Sequence, residues 1–262
     1  MKFKYLLTIL ISIILVFGFL MYARAEGVVQ SPMSLYHDNF FLFGDEANQT
    51  KFQVSAKYNL LWPFDSGIYV AYSQLTHWYV YGNRDTMQAN FQPEVYYRFT
   101  SGANPFNDLT IPFIDYIQVA PEYHCSTGVE GKNHRAINEY YGQIQMSAGK
   151  IYNFGFNARA FKYYTICDKN KDINDYKKNY QADVFFKIQS GDVLGLDKFE
   201  THCTFGGNPI GKGFIEGKII VRLFTSYIQP RLYVDYYRGF DQFMVTYKQK
   251  DNVGRIGITF ID

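Results

Sequence analysis

Side-chain polarity alternates with a period of two over one segment after another of this chain, and that regularity confines the fold to β-sheet. Along residues 51–60 the even positions are Phe52, Val54, Ala56, Tyr58 and Leu60, and the odd positions are Lys51, Gln53, Ser55, Lys57 and Asn59. One face is apolar and the other polar. In 138–148, Tyr140, Ile144, Met146 and Ala148 oppose Glu139, Gln143, Gln145 and Ser147. Leu232, Val234 and Tyr236 oppose Tyr233 and Asp235, and Ile256, Ile258 and Phe260 oppose Gly257 and Thr259.

The pattern predicts twelve strands, near 39–44, 51–60, 68–80, 90–99, 113–124, 138–151, 154–165, 179–190, 197–206, 213–224, 230–239 and 253–261. Several reach the length that a tilted strand needs to cross a bilayer. Short turns are expected at 63–67 and 149–153, and longer polar loops at 81–89, 125–137, 167–178 and 241–253. Short turns at one rim and long loops at the other are the layout of a transmembrane barrel. A soluble β-sandwich also alternates, but it would expose fewer bulky residues on its second face. Here 24 Tyr, 24 Phe and 2 Trp make 19% of the chain. The predicted fold is therefore all-β, a twelve-stranded antiparallel transmembrane barrel.

Residues 1–25 read as a secretory signal: Lys2 and Lys4, an apolar run from Tyr5 to Tyr22, then Ala23-Arg24-Ala25 as a small-x-small cleavage site. The domain division is thus a signal peptide at 1–25 and a barrel at 26–262. A net charge of +2 argues against a nucleic-acid partner. A mean hydropathy of -0.21 excludes a polytopic helical membrane protein but not a barrel with a polar lumen.

The chemistry-bearing stretch is Tyr123-His124-Cys125-Ser126-Thr127-Gly128, followed by Asn138. Residues two apart on a strand share a face, so His124 and Ser126 can point together. A serine hydroxyl becomes a nucleophile when a base takes its proton; His124 is that base. Asn138, on the next strand, would accept the other imidazole N–H. The Gly128 amide is the candidate oxyanion donor. Asn138 shares parity with Tyr140, Ile144 and Met146, the row assigned to lipid. His124 is even, whereas the apolar positions upstream, Ile117 and Val119, are odd. Convergence therefore requires a change of phase, and Pro121, which lacks an N–H, is the position expected to supply a bulge.

At these residues the chain resembles the outer-membrane phospholipase A family. Those proteins are twelve-stranded barrels with a Ser-His-Asn site on the lipid-facing wall and the motif H-x-S-N-G, with an Asn twelve residues after the Ser. His124, Ser126, Gly128 and Asn138 fit that spacing. Ser34-Leu35-Tyr36, Lys51-Phe52-Gln53, Asn90-Phe91-Gln92-Pro93 and Val253-Gly254-Arg255-Ile256-Gly257 also fall at family-like positions. The resemblance implies a calcium-dependent hydrolase of phospholipid acyl esters in the bacterial outer membrane, active as a homodimer. It implies calcium ligands from the loop after the Ser, at Val129 and the position of His134, and from the 81–89 loop. There the ligand is one of Asn83, Asp85 and Thr86, Asp85 being the carboxylate among them. Gln74, a polar residue on an apolar row, is the expected dimer contact, a Gln bonded within its own barrel being the other reading.

The chain departs from the family at Thr127, where Asn is usual, and at His134, a poor calcium ligand for which Asn133 or Glu130 could substitute. Two competing functions follow. One is a lipid A deacylase, which also uses His-x-Ser; the other is a porin-like barrel with a degenerate site. The segment 206–212 has the spacing of a phosphate loop, but Gly213 stands where Ser or Thr belongs. Cys125, Cys167 and Cys203 are expected near the outer rim, and three thiols cannot all pair.

Overall fold

A computed structural model describes residues 32–44, 49–62, 64, 66–79, 87–101, 111–127, 135–149, 152–166, 171, 173, 180–188, 199–208, 212–222, 230–240 and 250–260. The expected signal peptide lies outside the described residues. The strands are β1 (Met33–Ser34), β2 (Asn39–Gly44), β3 (Gln49–Asn59), β4 (Gly67–Tyr79), β5 (Met87–Thr100), β6 (Ile114–Thr127), β7 (Arg135–Ala148), β8 (Tyr152–Ile166), β9 (Tyr180–Ile188), β10 (Phe199–Asn208), β11 (Lys212–Arg222), β12 (Arg231–Phe240) and β13 (Lys250–Phe260). Strands β2 to β13 pair antiparallel in order, and β13 pairs back onto β2, closing a twelve-stranded barrel. Among the described residues no helix is long and apolar enough to cross a membrane; a closed barrel crosses with strands, because closure satisfies every ladder group.

The alternating rows resolve inside out. Polar residues of β3 face the interior, where Lys51 is 3% exposed, while Tyr58 projects outward. Tyr140 on β7 is 57% exposed and Ile256 on β13 is 54%, whereas their neighbours Glu139 and Arg255 are buried. The apolar rows thus form the bilayer wall. Interior charges are paired, as burial requires. Lys51 Nζ lies 3.2 Å from Glu216 Oε1 and 3.6 Å from Asp235 Oδ2, and Arg255 Nη1 lies 3.2 Å from Asp235 Oδ1. Arg231 Nη1 donates to Glu200 Oε1 at 2.7 Å, and Lys187 lies 3.1 Å from Glu200.

Three expectations change. The first barrel strand is preceded by β1, which pairs with Tyr58 and Lys57 on the same edge of β3 that β2 occupies further along. Between β1 and β2 the chain leaves the sheet, held by His37 N–H donating to Ser55 Oγ (2.8 Å) and Ser55 Oγ–H donating to His37 O (2.9 Å). This turns Tyr36 into the lumen, stacked on Tyr96 with centroids 5.2 Å apart. Burial, and then the Glu94 charge, push the Tyr36 hydroxyl well above its ordinary range. Second, long connections do not segregate to one rim. The link from Thr100 to Ile114 lies on the same rim as the tight Ala148–Tyr152 turn, yet is longer than the Thr127–Arg135 link opposite. Third, Cys203 sits mid-strand, paired across from Val184 and Gly217, and is exposed on the outer wall rather than at a rim. Cys203 and Cys125 are both free thiols; Cys167 lies outside the described residues.

Candidate active site

Strand β6 carries His124 and Ser126 in its last turn-proximal residues, and β7 carries Asn138 near its start. The β6–β7 ladder runs in unbroken register from Tyr116↔Gln145 through Pro121↔Tyr140 and Tyr123↔Asn138 to Ser126↔Arg135; its irregularity lies at Ile114/Tyr116. The bulge expected at Pro121 is absent. Proline removes one donor, but the other pairs of the β7 ladder are enough to keep the strand in phase. Parity therefore holds: Glu122, His124 and Ser126 face the interior, and Pro121 and Tyr123 face the bilayer. Asn138 is on the outer row with Tyr140, as expected. His124 and Ser126 thus stand on the inner row of β6 and Asn138 on the outer row of β7.

Inside, the His124 ring is hydrogen-bonded at Nδ1, while Nε2 faces two carboxylates without a hydrogen-bond partner among the described residues. Its Nδ1 lies 2.9 Å from Gln92 Nε2, whose amide N–H is the donor, so Nδ1 is the acceptor. Its Nε2 lies 3.2 Å from Glu122 Oε1 and 3.5 Å from Glu139 Oε1. The Arg159 guanidinium bonds Glu122 and, at 2.5 Å, Glu139 Oε1, and lies 3.9 Å from the Tyr141 ring centroid. The Tyr141 hydroxyl donates to Glu94 Oε2 at 2.6 Å. Glu122, His124 and Glu139 bring one ligand atom each within 4.8 Å of one another, a geometry able to hold a metal ion; Arg159 supplies positive charge to that cluster instead. Gln92, His124, Glu139 and Arg159 line one wall of an interior cavity of about 590 Å³. Ser126 is 0% exposed, and its hydroxyl has no hydrogen-bond partner among the described residues.

On the bilayer side, Asn138 sits between Tyr123 on β6 and Thr165 on β8. Tyr140 and Tyr164 stack beside it with centroids 4.4 Å apart. Gln74 is on the outer row of β4, as expected. It accepts from the Tyr72 hydroxyl at 3.3 Å and donates to Thr76 Oγ1 at 3.2 Å, so its amide by itself calls for no second subunit. Gly128, Val129, His134 and Asp85 lie outside the described residues.

Gln92, Glu122, Glu139 and Arg159 were not singled out from the sequence. Parity places Glu122 and Glu139 beside His124 once the phase of β6 is known. Nothing local points to Arg159, which belongs to the strand beyond β7.

The closed, outward-apolar barrel with a polar, charge-paired lumen defines a β-barrel of the outer-membrane type. The phospholipase A1 family model matches residues 19–260, and the chain belongs to that family of phospholipid ester hydrolases. The barrel is similar to outer membrane phospholipase A from Escherichia coli, with a TM-score of 0.68 and 17% identity over 88% of this chain and 94% of that one. It is similar to the Salmonella typhi outer membrane phospholipase, solved as a dimer with bound calcium, with a TM-score of 0.68 and 16% identity over 89% and 94% of the two chains. An active-site asparagine-to-alanine mutant of the Escherichia coli protein superposes with a TM-score of 0.63 and 14% identity over 88% and 92%. At these identities the likeness is one of fold. No curated protein matches the chain in sequence.

Proposed function

We propose that the chain hydrolyses acyl ester bonds of phospholipids and lysophospholipids in the bacterial outer membrane, with Ser126 as nucleophile, His124 as general base and Asn138 as the group orienting the imidazole. The observation that carries this is family membership across residues 19–260, with His124, Ser126, Gly128 and Asn138 at the family's motif spacing. An asparagine belongs to the active site of the Escherichia coli protein, and Asn138 is the proposed counterpart.

The Ser126 oxygen attacks the ester carbonyl while His124 takes the hydroxyl proton. The tetrahedral oxyanion accepts from the Gly128 amide. Its collapse expels the glycerol oxygen, which receives the proton from His124, leaving the fatty acyl group on Ser126. Water then gives a proton to His124 and cleaves the acyl-serine. Fatty acid leaves and Ser126 regains its proton. Strand β6 contributes nucleophile and base, and β7 fixes the imidazole's orientation.

Calcium is part of the proposal, as it is bound in the Salmonella typhi dimer. The Asp85 carboxylate and Val129 carbonyl are oxygen donors of the kind calcium takes. The nitrogen of His134 is not, so Glu130 or Asn133 completes the set better. When bound, the ion polarises the substrate carbonyl. A homodimer with Gln74 at its interface completes the reading.

Purified barrel on phospholipid vesicles tests it. Fatty acid and lysophospholipid are expected with calcium, with release lost on chelation. Ser126→Ala should lower the rate by about 10³-fold or more. Equal release by wild type and Ser126→Ala would overturn the assignment.

A further inference from the structure

Strand β8 carries one residue too many beside Asn138. Its ladder to β7 runs evenly from Ala148↔Phe154 to Glu139↔Tyr163; the next pairs are Asn138↔Thr165 and Ile137↔Ile166, so Tyr164 has no partner on β7. This is a β-bulge, two residues of one strand standing opposite one of its neighbour. Tyr163 before it and Ile166 after it both pack on the interior Ile137–Ile173 cluster. Between them Tyr164 and Thr165 are both exposed, where strict alternation would place one outward residue. A strand lacking Tyr164 would alternate from Tyr163 through Thr165 to Ile166 and keep both inward contacts. What the extra residue adds is a ring on the bilayer side.

That ring stands beside the site. Tyr164 is 50% exposed and stacks on Tyr140, two residues along β7 from Asn138. A third exposed ring, Tyr123, lies directly across from Asn138 on β6. Tyr164 is two residues from the end of β8. Rings with an apolar body and a phenol tip suit the level where acyl chains meet the polar belt of a bilayer.

We infer that the stacked Tyr164 and Tyr140 are a platform for the glycerol-ester region of a phospholipid, holding it against the wall beside Asn138. This rests on the ester hydrolysis proposed above and on the place of Asn138 in it. A phospholipid reaches a barrel sideways from the bilayer, so the groups that hold it stand on the outer row, as these do. The ring bodies lie along the first methylenes of the acyl chain, and the phenol hydroxyls donate to ester or phosphate oxygens. Stacking holds each ring in place before lipid arrives, which lowers the cost of ordering it. These contacts serve bound lipid and transition state alike, so their loss raises KM and leaves kcat.

The test is steady-state hydrolysis of a diacyl phosphatidylethanolamine in mixed detergent micelles by the full-length barrel, with the mole fraction of lipid varied. Tyr164→Ala, Tyr140→Ala and deletion of Tyr164 are each expected to raise KM about tenfold, with kcat within about twofold of wild type. The double alanine variant should lose little more than either single one, because the two rings act as one stack. Phe154→Ala is the control: Phe154 is also exposed on β8 and packs on Phe186, but it lies at the opposite rim, and its loss should leave KM unchanged. A KM for Tyr164→Ala within about twofold of wild type overturns the platform, and so does an equal rise in Phe154→Ala. Hydrolysis that is absent in wild type, or unchanged by Ser126→Ala, instead removes the hydrolase assignment and takes the platform with it.

Discussion

Arg159 is the residue on which the polarity of the lumen beside the motif depends. It bonds both Glu122 and Glu139, and its guanidinium packs on Tyr141. Replacing it by Met leaves two buried carboxylates without their cation. Arg159→Met should destabilise the barrel by about 3 kcal/mol in denaturant titrations. Adding Glu139→Gln should restore part of that, because fewer charges are then stranded. Gly257 on β13 matters for space rather than charge: a Cβ there would sit 1.9 Å from the Phe41 carbonyl oxygen and 2.8 Å from Leu42 Cα. Those are backbone atoms at the seam where the barrel closes, and they cannot swing away. Gly257→Ala should cost about 1–3 kcal/mol, seen as a lower unfolding midpoint. Neither residue could be valued from the chain alone, since each acts on groups from other strands: Arg159 on Glu122 and Glu139, Gly257 on the β2 backbone.

Among the elements, the β5–β6 ladder is interrupted near the site, at Gln92–Pro93 and again at Val95–Tyr96. Pro93 lacks the N–H that a strand would donate there. Pro93→Ala should restore one ladder bond, adding about 1 kcal/mol of local stability and slowing amide exchange at Tyr123 and His124. Unchanged exchange would mean that the seam is open for another reason. Strand positions were largely legible: the predicted strand at 39–44 is β2 as observed, and 230–239 lies one residue from β12. Period-two patterning marks a wall that is apolar on one side and polar on the other. The phase of β6 was legible too, since Ile117 and Val119 already put His124 inside. The expectation of a bulge at Pro121 went wrong because proline permits a break without compelling one. The inward excursion at Tyr36 escaped notice because an irregular segment has no period; what holds it is Ser55, on another strand.

The whole molecule is an inverted globule, with its hydrocarbon surface outside and its ion pairs within. Val184 shows what that demands. It lies mid-strand on β9 with its side chain on the outer wall, 50% exposed. Val184→Arg should destabilise the folded barrel in lipid vesicles by about 2–4 kcal/mol, read from its refolding equilibrium. A soluble sandwich would tolerate the change.

By itself, the sequence determined that the chain is a twelve-stranded barrel, which rows meet lipid, and that a His, a Ser and an Asn lie at one rim with the spacing of a phospholipase family. Those properties are local: alternation and spacing are written within one strand or one hairpin. Tertiary structure decided which partners His124 has, that Ser126 is buried without one, and that Asn138 stands on the far side of the wall. Those follow from inter-strand register and from Arg159 beyond β7, and register depends on pairing energies summed over whole neighbouring strands, which no single segment contains.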